Sequence, residues 1–126
     1  MAHPLGDQFP REGFVQAAIE RHFSACERFE AGYADLACVD EAGQRWVVEA
    51  KGETSDTGLD FRTGLGQLIQ GMGDPEARYA LAMPDTPKFA GQRQRVPEWV
   101  REALSLHWIL VSEDGELTIA DPLGSG

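Results

Sequence analysis

The sequence predicts a single α/β domain in which helices flank a central mixed sheet, in the order α-β-β-α-β-α-β-β. Three observations carry this. Two apolar runs, residues 33–40 and 44–51, are joined by Asp40-Glu41-Ala42-Gly43, a short turn containing a glycine, which predicts a β-hairpin. Apolar residues recur at spacings of three and four over 11–28 and again over 61–72, the period of an amphipathic helix. The later apolar runs are short and separated by a helical stretch, so hairpins and helical crossovers must share one sheet. At 126 residues the chain has the length of one domain and can bury a core without disulfide staples.

Residues 1–10 hold two prolines and little periodicity, and a flexible leader is expected there. The domain is expected over 11–120, with a flexible tail at 121–126. In the first helix, Phe14, Val15, Ala18, Ile19, Phe23 and Cys26 form one apolar face. The hairpin follows, then a polar loop at 52–60. The next helix is expected from Phe61 to Met72, with Asp60 as its N-cap. Gly64 and Gly66 each cost that helix roughly 1 kcal/mol relative to alanine, a cost offset where a helix closely approaches the sheet or a ligand. Gly73 and Pro75 end it. Residues 78–83 form a short apolar strand, broken by Pro84 and Pro87. Lys88 to Arg95 is basic and poor in bulky apolar residues, a loop or a solvated helix. Pro97 opens a helix to about Leu104. A strand at 106–112 turns through Glu113-Asp114-Gly115-Glu116 into a last strand at 117–120. An additional edge strand near 28–31 is left open.

The formal net charge of −10 argues against a broad grip on nucleic acid. The charge is uneven, however: between residues 62 and 101 six arginines and lysines outnumber four acidic residues. No run approaches 18 apolar residues, so no transmembrane helix and no membrane partner are expected. The chain shows no P-loop, no zinc-spaced His/Cys set and no nucleophilic triad signature, so no nucleotide cofactor is expected. The first residues lack the basic-then-apolar layout of a signal peptide. Cys26 in the first helix and Cys38 in the first strand read as reduced core residues, and a cytoplasmic protein is the simplest expectation.

The strand Arg45-Trp46-Val47-Val48-Glu49-Ala50-Lys51 carries the chemistry. Glu49 and Lys51 are two apart, so both point to one face. A carboxylate and an ammonium at the end of a buried strand are costly to desolvate unless they pair or bind something. Asp35 arrives from the preceding strand. Two carboxylates and a lysine on neighbouring strands can hold a hard divalent cation and steady a phosphate against it.

Asp35, then Glu49-Ala50-Lys51 fourteen positions later, then Gly66-Gln67 in the following helix, resemble the signature of the PD-(D/E)XK nuclease superfamily. The resemblance spans roughly residues 14–83. The Tyr33-Ala34-Asp35 segment and the helix bearing Gln67 are most similar to the Mrr-like and Holliday-junction-resolvase-like branches, with Ala34 where the signature has proline. The resemblance implies a restriction-endonuclease-like fold and a Mg²⁺- or Mn²⁺-dependent endonuclease acting on DNA. It implies Asp35 and Glu49 as metal ligands, Lys51 as the residue that orients the attacking water and stabilises phosphate charge, and Gln67 as an accessory polar residue. Many members add an acidic residue from the first helix, for which Glu20 is the candidate here.

Arg62, Lys88, Arg93 and Arg95, with Arg101 and Trp99, are candidates to grip a phosphate backbone, the alternative being a solvated face. So sparse a basic surface suggests that a protein partner or a homodimer supplies part of the grip. His107, between Leu106 and Trp108, reads as a satisfied sheet histidine, and His22 as packing on the apolar side of the first helix. No motif covers the last third of the chain. The competing function is an inactive module that keeps the nuclease fold and uses its acidic surface to recognise a protein partner. A hydrolase of other phosphoesters is a third reading.

Overall fold

The computed structural model describes residues 2–32 and 34–122. It is an α/β fold with four helices and a six-stranded open sheet. The elements run α1 (Glu12–His22), β1 (Glu27–Arg28), β2 (Leu36–Val39), β3 (Arg45–Ala50), α2 (Thr57–Gln70), β4 (Arg78–Pro84), α3 (Pro87–Arg93), α4 (Glu98–Leu104), β5 (Leu106–Val111) and β6 (Leu117–Ala120). The strands lie in chain order, β1-β2-β3-β4-β5-β6. The central β3, β4 and β5 are parallel, and the pairs toward each edge are antiparallel. The sheet is therefore mixed, as three antiparallel connections and two helical crossovers require.

The period of two along each strand sorts the core into two layers. Val48, Ala50, Ala80, Ala82, Ile109 and Val111 face α1 through Val15, Ala18 and Ile19. Val47, Tyr79, Leu81, Met83 and Trp108 face α2 and α3 through Phe61, Leu68 and Phe89. β4 is covered on both sides, which is why its sequence is a continuous apolar run rather than an alternation. The β2–β3 turn is held by Asp40, whose Oδ1 accepts from the amides of Ala42 and Gln44 at 2.9 Å and whose Oδ2 accepts from Trp46 Nε1 at 3.0 Å. Those donors hold its carboxyl below the usual range. Gly43 takes a φ of +81°, which a side chain would strain.

Several expectations are corrected. Residues 2–10 are not a loose leader but a strap folded over the start of α1: Gly6 O accepts from Gly13 N at 2.8 Å and Pro10 O from Glu53 N at 2.9 Å. α1 stops at His22 instead of continuing to 28. The apolar period continues through Phe23 and Cys26 because the turn that follows faces the same core. Cys26 thus lies between α1 and β1, half-buried beside Cys38, whose thiol burial pushes up to about 12. α2 begins a turn early, at Thr57, and its N-cap is Asp56, which accepts from Leu59 N at 3.0 Å. Asp60 instead accepts from Thr54 N and Oγ1 at 2.8 Å. The added turn exposes Leu59, so no apolar period marks it. An edge strand is present as β1, but at Glu27–Arg28, ahead of the 28–31 left open, and the open segment 88–95 is mostly helix α3. In the expected tail, Pro122 is buried and Asp121 O accepts from Arg101 Nη2 at 3.3 Å. The expected strand start at Tyr33 and tail residues 123–126 lie outside the described residues.

Candidate functional site

The site forms where β2 and β3 meet at one end of the sheet. Leu36 pairs antiparallel with Val48, so one step further along the ladder sets Asp35 opposite Glu49. Asp35 precedes β2, and its side chain does what a ladder carbonyl would do: Oδ2 accepts from the amide of Ala50 at 2.8 Å. That bond, to a residue fifteen positions away, fixes the carboxylate beside Glu49. Lys51 extends β3 by one bond, donating its amide to Ala82 O at 2.9 Å. Residues 47, 49 and 51 therefore share the face toward α2, and Asp35 falls on that face with Ala37.

The two carboxyl groups stand opposite one another across the β2–β3 ladder, so their like charges repel. Glu49 is only 7% exposed. Burial first, and then the charge of Asp35, push its carboxyl up to about 8, against the opposing pull of Lys51. Glu12, at the start of α1, closes the cluster with Oε1 3.7 Å from Lys51 Nζ. Burial raises its carboxyl above the usual range, and Lys51 opposes that shift.

Two glycines make room for this arrangement. A Cβ on Gly52 would overlap the backbone of Arg11 and Glu12, so only a bare backbone lets the start of α1 dock on the end of β3. A Cβ on Gly64 would stand 2.5 Å from Lys51 Cγ and 2.9 Å from Leu81 Cδ1, so α2 lies directly on the lysine stem. The expected close approach thus holds at Gly64, whereas a Cβ at Gly66 meets nothing within 4 Å. Gly66→Ala is expected to stabilise the protein by about 0.5–1 kcal/mol, because alanine loses less backbone entropy in a helix. Gly64→Ala is expected to destabilise it and displace Lys51. Equal urea midpoints for the two variants would contradict this.

Gln67 reaches the site from α2. It lines, with Glu49, Val47, Ala31 and Gln70, an open cleft of about 480 Å³. Asp35, Glu49 and Lys51 are thus brought to one end of the sheet, and Gln67 is exposed on α2 along the cleft that Glu49 also lines. Glu20 is not brought there: it is exposed on α1, two turns beyond Glu12. The α1 carboxylate at the site is Glu12, which sequence reasoning missed. The apolar period points to the middle of that helix, while Glu12 is delivered by its end.

The basic candidates are dispersed. Arg62 is exposed on α2, with its guanidinium over Gly58, and Gln92 of α3 is also close to Gly58. Lys88 and Arg95 are exposed at either end of α3. Arg93 is half-buried with Nη1 3.5 Å from Met83 Sδ, and burial lowers its pKa. Arg101 is structural: it stacks on Trp108 at 4.9 Å and donates to Leu106 O and Ala120 O at 3.3 and 2.9 Å. Trp99 is 71% exposed. His107 is the buried sheet histidine expected, with Nδ1 3.0 Å from Ser105 O and its ring edge-on to Trp46; burial lowers its pKa. His22, expected to pack, is exposed, with an edge contact to Phe23 at 4.8 Å.

Among the described residues no set of three or more His, Cys, Asp or Glu side chains is arranged to hold a metal ion, and no helix is long and apolar enough to cross a membrane. Comparison with protein-family models, curated proteins and solved structures returned no match.

Proposed function

We propose that the chain is a divalent-cation-dependent endonuclease of the PD-(D/E)XK type, with a restriction-endonuclease-like fold, hydrolysing DNA phosphodiester bonds at the Asp35–Glu49–Lys51 site. The observation that supports this most is the facing carboxylate pair beside a lysine. A buried Glu49 carboxyl, raised by burial and by the charge of the half-buried Asp35 facing it, forms with Asp35 a donor set whose repulsion a cation would relieve, since Mg²⁺ or Mn²⁺ takes hard oxygen ligands and needs few from protein. Asp35 and Glu49 would hold the ion, which supplies an acidified water and withdraws charge from the phosphate. Lys51, fixed by its backbone bond to β4 and by the α2 glycine, shares the face of the pair and reaches Glu12 at 3.7 Å. It offers its positive charge to a phosphate oxygen without competing for the ion. Gln67 offers an amide from the wall of the cleft.

The expected result is cleavage of duplex, single-stranded or branched DNA with Mg²⁺ or Mn²⁺. Cleavage should fall at least about a hundredfold in Asp35→Ala and Glu49→Ala, with the circular dichroism of the fold retained. Wild type that leaves all three DNA forms uncut across both metals would sink the proposal.

The net charge of −10 favours a second reading, a non-cleaving module whose acidic surface meets a basic protein partner. A rise in melting temperature with Mn²⁺ in wild type but not in Asp35→Ala would count against it. The dispersed arginines fit a nuclease whose DNA grip is completed by a partner or a second copy. Two free thiols fit a cytoplasmic setting.

A further inference from the structure

The N-terminal strap reaches the site at one point. Glu12 presents Oε1 to Lys51 Nζ at 3.7 Å and Oε2 to His3 Nε2 at 3.5 Å, so each carboxylate oxygen has its own cationic or ring-nitrogen neighbour. The His3 ring is itself oriented: the amide of Leu5 donates to Nδ1 at 3.0 Å. A neutral imidazole that accepts at Nδ1 carries its proton on Nε2, the atom that faces Glu12. The contact therefore does not require a charged histidine.

The strap that carries His3 is pinned to α1 and to the loop leaving the site. Asp7 Oδ1 accepts from His3 N at 2.8 Å, and Gly6 O accepts from Gly13 N at 2.8 Å. A Cβ on Gly13 would stand 2.6 Å from His3 Cβ and 2.7 Å from Asp7 Oδ1, so the strap lies on bare helix backbone. Arg11 Nη1 donates to Glu53 O at 2.9 Å, tying the same helix end to the loop after Lys51. Neither apolar layer of the core includes a strap residue; the strap's aromatic contact is Phe9 edge-on to Phe14 at 5.5 Å, and His3 itself is placed by polar contacts. The Glu12 carboxylate thus lies between His3 and Lys51, one oxygen toward each.

We propose that His3 is a positioning residue of the site, acting through Glu12 to hold the Lys51 ammonium against the Asp35–Glu49 pair. This rests on reading that pair and Lys51 as the reacting centre, so the experiment carries a readout that needs no turnover. In the full chain, His3→Ala is expected to lower kcat about ten- to a hundredfold, with KM for an oligonucleotide changed by less than about twofold. His3→Gln, which returns a nitrogen donor to the same reach, is expected to recover most of that loss. In parallel, the side-chain ammonium signal of Lys51 in ¹⁵N NMR should move in His3→Ala and return in His3→Gln. If kcat and the Lys51 signal are unchanged in His3→Ala, the proposal is overturned. It is equally overturned if both variants lose melting temperature and KM together, the mark of a merely structural strap. Wild type without cleavage, but with a Lys51 signal that follows His3, would uphold the positioning role and remove the nuclease reading instead.

Discussion

Glu49→Gln is expected to flatten the pH dependence of stability between about pH 4.5 and pH 8. In the folded protein the Glu49 carboxyl, pushed up to about 8 by burial and by Asp35, keeps a proton that the unfolded chain releases near 4.5. A raised folded pKa adds stability that is fully present below the unfolded value and is lost as pH rises through the folded one. Across this window the Glu49 contribution to metal-free wild-type stability should fall by on the order of 5 kcal/mol, at roughly 1.4 kcal/mol per pH unit. Glu12, raised by burial, acts in the same direction. His107, lowered by burial, acts the opposite way, because the unfolded histidine gains a proton on acidification that the buried one refuses. Both residues remain in Glu49→Gln, so the difference between the two urea-midpoint profiles reports Glu49 together with its coupling to Asp35 and Glu12. The replacement amide keeps the size and polarity of the side chain facing Asp35 and removes its titration. On the proposed function, Mn²⁺ at pH 8 should return much of the lost stability to wild type and little to the variant. Parallel profiles for the two proteins would show that Glu49 ionises freely in the fold.

Gly52→Ala is expected to cost about 3 kcal/mol or more, far above an ordinary glycine-to-alanine change. The added methyl would lie in the backbone of Arg11 and Glu12, and neither main chain can yield as a flexible side-chain tip does. Relief requires the start of α1 to lift from the end of β3. That would break the Pro10–Glu53 backbone bond and carry Glu12 away from Lys51. Denaturant unfolding measures the loss directly. A change within about 0.5 kcal/mol would mean that α1 does not need this contact. Gly64→Ala tests the same principle on the opposite face, where the obstacle includes the Lys51 stem and some repacking is open to it.

Much of this was legible in the chain. The hairpin, the crossover helix after it, the buried central strand and the final strand pair each carry a local signal: a glycine turn, a period of 3.6, an unbroken apolar run, a proline at a helix start. Asp35, Glu49, Lys51 and Gln67 were legible because two of them are set by alternation along one strand and the others by the elements on either side. Misplaced boundaries arose where local signal and packing part company. Phe23 and Cys26 continue the period of α1 after the helix has ended, because a core accepts apolar side chains from a turn as readily as from a helix. Asp56 and Asp60, four residues apart, are both credible caps, and the choice between them depends on Thr54.

The sequence by itself determined the class of fold, the order of most elements and the strand face that gathers a carboxylate and a lysine, because those follow from periodicity and turn chemistry within short windows. Only the tertiary structure decided that Glu12, not Glu20, joins them, that residues 2–10 form a strap bringing His3 to Glu12, and that Arg101 is a stacked structural arginine. Each of those depends on bare backbone at glycines, or on contacts between segments far apart in the chain, and such approaches leave no period for a linear reading to detect.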